Sequence, residues 1–508
     1  MTLQKKLDEH DDHDHHQLHF VLIPFMTPGH LLPMVDIAIM LARQNLKVTI
    51  LTTPLNAVRV RPDIEKEIRS GSTLHLRLFQ FPNAEAGVPQ GCESFDTLPA
   101  ADLRFNFMKA LLMLQKPLEQ LFENLNPSPT CVIYDPYIPS VASVAKKFRV
   151  PGITFDGTNC FKMLCNHNLR EYSNVYQNVV VSGSSEPVLV PGLPHKIEFK
   201  RCQLHSLFFN APTKLDAEFR DKVWEAEEEA FGVLVNSFQE LEDEYLKEYT
   251  KASGKNVYCI GPVSLSIKDN LDKAQRGKTD SNQEGQYLKW LDSWPARSVI
   301  YVCLGSLNNV TPEQLMELGL GLEATERPFI LVLRGAYKRE EMEKLLKEDG
   351  LEERVKERGQ IIRGWVPQVL ILSHKAIGAF LTHCGWNSTL EGICSGVPLI
   401  TFPLFAEQFY NEKLVVQVLE IGVRLGVESA MNFGEEEKYG VQVKKEKVKE
   451  AIEKVMSEED EESERIRERA RNYAEKANKA MEKDGSSVLN MSVLIQDMII
   501  QQQVIGLN

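Results

Sequence analysis

The segment from Trp365 to Gln408, WVPQVLILSHKAIGAFLTHCGWNSTLEGICSGVPLITFPLFAEQ, constrains the chain more than any other. Its pattern predicts an apolar strand from Gly378 to Leu381 and a polar turn from Thr382 to Trp386. A short helix opening at Asn387 and Ser388 and ended by Gly396 comes next, then a strand from Val397 to Phe402. Asn and Ser at a helix start satisfy backbone N–H groups that have no partner within the helix. Those N–H groups, together with the macrodipole, favour an anion. A phosphate suits this corner.

The surrounding side chains suit the other parts of a nucleotide sugar. Trp365 precedes a helix whose first position is expected at Pro367, and it offers a flat face to a base. Gln368 offers a paired donor and acceptor. His383, beside the corner, can donate to phosphate oxygens. Glu391 lies one helical turn beyond Asn387 and can accept from two ribose hydroxyls. Glu407 and Gln408 come after a strand end, where a carboxylate and an amide can divide the hydroxyls of a hexose. Each residue alone also has a plainer role: Trp365 as a core aromatic, Glu391 as a complement to the helix dipole, His383 as a structural histidine. Their order along the chain favours the joint reading.

From its first Trp to its last Gln, and without a gap, this stretch resembles the signature box of the plant secondary-product UDP-glycosyltransferases, including HCGWNSTLEG and FAEQ. Weaker resemblance extends over nearly the whole chain. It implies an α/β fold of the GT-B type, two facing Rossmann-like domains with the donor held by the second. It also implies that Trp365, Val366, Gln368, His383, Trp386, Asn387, Ser388, Glu391, Glu407 and Gln408 bind a UDP-sugar. Val366 stands where many members have Ala, and the contact implied there is through backbone.

At 508 residues the chain is too long for one hydrophobic core, so two or more domains are expected. A net charge of −13 argues against nucleic acid and anionic membranes as partners and favours neutral, apolar acceptors. Nine cysteines without C-x-x-C spacing read as reduced thiols, with Cys384 as a small packed residue. No run approaches the roughly 18 consecutive apolar residues of a membrane span, and no basic-then-apolar leader opens the sequence. The expectation is a monomeric, cytosolic enzyme.

Residues 1–17 read as a polar, disordered tail; His10, His13, His15 and His16 could bind a transition metal there, but a mobile tail need hold no site. The fold is expected to begin with a strand from Leu18 to Phe25, the turn Met26-Thr27-Pro28-Gly29-His30, a helix from Leu31 to Gln44, and a strand from Lys47 to Thr52. This βαβ unit puts His30 at the carboxyl end of its first strand, where open parallel sheets place ligands. Further strands are expected from Leu74 to Phe81 and from Thr130 to Tyr134, with Ala101 to Asn124 as one amphipathic helix. Asp135 also lies just past a strand end. Spacing alone cannot bring it to His30, and it equally allows a turn histidine and an Asp capping a turn. In the resembling family the His of PFMTPGH is the catalytic base and the Asp of CVIYDPY its partner.

Phe155 to Leu207 reads as irregular, and the resemblance implies that it helps line the acceptor pocket. The expected division is residues 18–262 as an acceptor-binding domain, 263–285 as linker, 286–485 as a donor-binding domain, and 486–508 as a helix packing back on the first domain. The resemblance adds Ser306, after a strand from Ser298 to Leu304, to the diphosphate contacts. Gly319-Leu320-Gly321-Leu322-Glu323-Ala324 matches a dinucleotide fingerprint but lies inside a helix beginning near Thr311-Pro312, so the match is false.

The expected reaction is metal-independent, inverting transfer of a sugar to a hydroxyl of a sapogenin, flavonoid or other phenolic, with His30 as base and Asp135 orienting it. The box offers no Asp-x-Asp metal site, and no cofactor is expected beyond the UDP-sugar co-substrate. Gln408 resembles users of UDP-glucose; UDP-glucuronic acid, UDP-galactose and UDP-xylose are alternative donors. Rival readings are a UDP-sugar epimerase or retaining transferase, and a catalytically silent UDP-sugar binder.

Overall fold

The computed structural model describes residues 18–172, 187–204, 213–266, 284–305, 309–333, 337–431 and 434–506. The histidine-bearing tail, residues 267–283 of the expected linker, and Ser306 lie outside the described residues.

Two parallel sheets organise the chain. The first contains β1 (His19–Ile23), β2 (Lys47–Thr52), β3 (Leu74–Leu78), β4 (Cys131–Tyr134) and β5 (Gly152–Thr154). A small antiparallel pair, β6 (Val188–Leu189) and β7 (Glu198–Phe199), stands apart, and β8 (Gly232–Val235) and β9 (Asn256–Cys259) complete the first sheet in the order β3-β2-β1-β4-β5-β8-β9. The second sheet contains β10 (Val299–Cys303), β11 (Phe329–Leu333), β12 (Gly359–Arg363), β13 (Ile377–Thr382), β14 (Leu399–Thr401) and β15 (Gly422–Arg424), in the order β12-β11-β10-β13-β14-β15. Strands such as HFVLI and VIYVC are buried throughout and mostly apolar because helices cover both faces of each sheet.

The strand orders place the site. In each sheet the chain runs outward from the first strand and then crosses back to pair on its other side: β4 beside β1, and β13 beside β10. That reversal opens a crevice at the carboxyl ends of the two central strands. Pairing of Ile23 with Tyr134 puts the segments after β1 and β4 at one height, and the Asp135 N–H donates to the Ile23 carbonyl.

Several local expectations change. The stretch expected as one helix from Ala101 to Asn124 divides into a 3-10 turn (Ala101–Leu103) and helices Arg104–Leu112 and Gln115–Glu123. Pro117 has no N–H to donate and its ring clashes with the carbonyl four residues before it, so the first helix cannot run through. The region expected as irregular contains a helix, Cys160–Glu171, capped by the Asn159 side chain accepting from the Lys162 N–H. Thr311 caps the helix Pro312–Ala324, inside which Gly319 and Gly321 lie; an added Cβ would come within 2.5 Å of Leu351 and Val448 respectively. Those glycines serve helix packing.

The final helix, Ser486–Gly506, buries Met491, Leu494, Ile495 and Met498 against the first sheet's apolar face. Asn490 donates to the Cys259 carbonyl at 3.0 Å, fixing that helix at the sheet edge.

Candidate active site

His30 owes its position to the end of β1. Thr27 is extended and Pro28 occupies the first helical position of Pro28–Ala42, so His30 sits in the first helical turn instead of preceding the helix as the sequence suggests. Its Nδ1 lies 2.6 Å from Asp135 Oδ2, and Asp135 Oδ1 accepts the Tyr137 N–H at 2.9 Å. Asp135 is fully buried, whereas the His30 side chain keeps 27% of its surface. With Nδ1 turned to the carboxylate, Nε2 is the nitrogen left for a substrate. Phe25 meets the imidazole edge-on at 5.4 Å between centroids and Tyr137 at 6.1 Å, which gives the base an aromatic flank.

Burial alone would disfavour imidazolium. The charge and hydrogen bond of Asp135, with smaller contributions from Asp156 and Glu407, outweigh it and raise the His30 pKa above its ordinary value. The pair is therefore a stronger proton acceptor than a free imidazole.

Across the crevice, β13 leads through His383, Cys384 and Gly385 into the helix Trp386–Cys394. This corrects the expected opening at Asn387 and Ser388: Gly385 is the cap residue and no side chain caps the helix. Glycine leaves room for the His383 ring, since a Cβ there would lie 2.3 Å from His383 Nε2. Cys384 turns the chain with a φ of 66°. The displaced residues work elsewhere. Asn387 Nδ2 donates to the Gly29 carbonyl at 2.6 Å, one residue before His30, and Ser388 Oγ accepts from Gln368 Nε2 at 2.9 Å.

Gln368 Nε2 also donates to Glu391 Oε2 at 2.8 Å, and its Oε1 accepts from the Tyr301 hydroxyl at 3.2 Å. Gln368, Ser388 and Glu391 thus form one cluster on this face. Trp365 is half-buried and Val366 buried; Pro367 is the cap of the helix Gln368–Leu372, which thus begins one residue later than expected. Trp386 is buried, and its indole N–H donates to the Asn236 carbonyl of the first sheet at 2.8 Å, so its ring serves the contact between the sheets. Its backbone N–H donates to Glu407 Oε1 at 3.3 Å. Gln408 Oε1 accepts from the N–H groups of Leu404 and Phe405, at 2.8 and 3.1 Å, and so shapes the loop before it.

The pairings of other buried groups at the crevice carried no sequence signal. Lys162 pairs with Asp156, Asn159 bonds Asn411 over 252 positions of sequence, and Glu242 accepts from the Cys160 and Phe161 N–H groups. Asn159 before CFKMLC reads as a helix cap, but nothing local reveals its partner. Among the described residues, no group of three or more His, Cys, Asp or Glu side chains is placed to hold a metal ion, and no helix is long and apolar enough to cross a membrane.

Comparison with known proteins accords with this geometry. Residues 119–432 match the family described as UDP-glucoronosyl and UDP-glucosyl transferase. UDP-glycosyltransferase 73C3 of Arabidopsis thaliana is 48% identical, covering 96% of this chain and 97% of its own. The crystal structure of Glycyrrhiza uralensis UGT73P12, complexed with glycyrrhetinic acid 3-O-monoglucuronide, is 35% identical, with a TM-score of 0.87 over 96% of this chain and 97% of that one. Medicago truncatula UGT71G1, complexed with UDP-glucose, shares the fold at 23% identity, with a TM-score of 0.75 over 95% and 98% of the two chains. The two-sheet architecture is that of GT-B glycosyltransferases, and the chain belongs to the plant UDP-glycosyltransferases, in their 73 branch.

Proposed function

We propose that the protein transfers glucose from UDP-glucose to a hydroxyl of a small lipophilic plant metabolite, a triterpenoid or steroid sapogenin or a phenolic such as a flavonoid. Inversion would give a β-glycoside. The observation that carries this reading is the part-buried His30–Asp135 pair, with Nδ1 held at 2.6 Å and Nε2 left for the acceptor. As the acceptor oxygen attacks the anomeric carbon, its proton passes to Nε2. The bond from that carbon to the diphosphate oxygen breaks, and UDP leaves with the electron pair. Attack comes from the side opposite the leaving group.

In this reading the turn at His383–Gly385, the start of the helix Trp386–Cys394, and Ser306 stabilise the diphosphate. Trp365, Val366 and Gln368 receive the base, Glu391 the ribose, and Glu407 and Gln408 the hexose. No metal is assigned a role. Gln408 favours glucose over galactose, and the glycyrrhetinic acid derivative bound by the Glycyrrhiza relative favours a triterpenoid acceptor.

Mass spectrometry of reactions containing the purified protein, UDP-glucose and a panel of sapogenins, flavonoids, simple phenols and plant hormones tests this. A gain of one hexose on the sapogenins is expected. Product only with UDP-glucuronic acid, UDP-galactose or UDP-xylose would replace the donor and keep the mechanism.

A further inference from the structure

Asn159 occupies an unusual place between the two halves of the site. Its Oδ1 accepts the Lys162 N–H at 2.8 Å, capping the helix Cys160–Glu171, so its Nδ2 must point away from that helix. That Nδ2 donates to Asn411 Oδ1 at 2.7 Å. Asn411 belongs to the other sheet's helix Gln408–Lys413, and its own Nδ2 donates to the Cys384 carbonyl at 2.8 Å. Cys384 is the left-handed residue on which the turn His383–Gly385 depends. Both asparagines are fully buried, and each side-chain atom in the relay has a partner.

The relay reaches His30 from its other end. Lys162, placed by the cap, pairs through its ammonium with Asp156, and Asp156 is among the charges that raise the His30 pKa. Gly157, next to Asp156, lies close enough that a Cβ would sit 3.8 Å from His30 Nδ1. One chain of bonds therefore runs from the Cys384 carbonyl through Asn411 and Asn159 to Lys162 and Asp156, and ends one residue before Gly157, which neighbours the base. A contact that served only to hold two domains together would not need to end on the turn His383–Gly385 at one side and on the segment flanking His30 at the other.

We infer that Asn159 and Asn411 are positioning residues: their mutual hydrogen bond holds the donor turn in register with His30, so that the anomeric carbon and the activated hydroxyl meet at reacting distance. The inference rests on the reading of that turn as the diphosphate site. The two directions of the bond are fixed, since the Asn159 oxygen is taken by the helix cap and the Asn411 amide by Cys384.

The test uses Asn159→Ser, which keeps an oxygen for the cap but loses the reach to Asn411, together with Asn411→Ser and the double variant. UDP binding is measured by calorimetry, and kcat and acceptor KM by product formation. Each single variant should lose at least tenfold in kcat. Asn159→Ser should bind UDP within threefold of wild type, and the double variant should fall no more than about twofold below the worse single one, since the Asn159–Asn411 bond is already lost in each. If only one single variant folds, its kcat decides. A kcat within twofold of wild type, or losses that multiply in the double variant, would overturn the inference while leaving the donor reading intact. A wild-type protein that fails to bind UDP would overturn both.

Discussion

Asn387 Nδ2 donates to the Gly29 carbonyl across 2.6 Å, although 358 positions separate the two residues in sequence. The donor-side helix thereby touches the backbone immediately before the proposed base. The proposed function divides the two chemical roles of the site between the two sheets, and separate substitutions should separate them.

Replacement of His30 by Ala removes the proposed proton acceptor and leaves the proposed donor corner in place. Transfer should fall at least a thousandfold, near the upper part of the range for general-base loss, while calorimetry finds UDP affinity changed by less than about threefold. A variant that keeps more than a tenth of the wild-type rate would remove His30 as the base.

Asp135→Asn should lower kcat and move the acid limb of the pH profile. The His30 pKa is raised, and only its neutral form accepts a proton, so activity is lost as pH falls through that raised value. Without the carboxylate charge, burial remains and lowers the pKa, so the limb should shift to lower pH. Profiles of kcat/KM for both proteins check this; an unmoved limb would mean that another group titrates.

Glu391→Ala tests the ribose assignment. Loss of charge-assisted hydrogen bonds costs about 1.5–3 kcal/mol, equivalent to roughly 10- to 150-fold in UDP affinity. The same substitution leaves Gln368 Nε2 still bonded to Ser388, so the thermal transition should move little. Unchanged UDP affinity would end the assignment.

Gly385→Ala introduces a Cβ where 2.3 Å separates it from His383 Nε2. The backbone at Gly385 has a φ of −60°, which any residue adopts, so the difficulty is space alone. The His383 ring must swing away or the turn must open. UDP binding should weaken at least tenfold with the melting temperature lowered by only a few degrees, a pattern that separates a displaced imidazole from a misfolded domain.

The strands around β1, β4, β10 and β13 are legible in the sequence because each is an apolar run ending at a turn. The places of His30 and Asp135 at carboxyl ends are legible too, since they depend only on the residues just past a strand. Helix starts are less so. Capping preference points to Asn387 and Ser388, but the cap is Gly385, chosen by the space that His383 leaves. The helix Cys160–Glu171 is hidden because much of the support for its first turn, the Glu242 carboxylate and the Asn159–Asn411 bond, comes from far along the chain.

By itself the sequence determined the α/β class, the order of the residues from Trp365 to Gln408 and the residue types available for chemistry, because hydrophobic period, turn residues and motif spacing are properties of neighbours. Only the tertiary structure decided which of those residues meet. Strand order put β4 beside β1 and so brought Asp135 to His30, and packing of the two sheets turned Trp386, Asn387 and Asn411 toward the first domain. Such pairings depend on which strand lies next to which, and no local pattern encodes that.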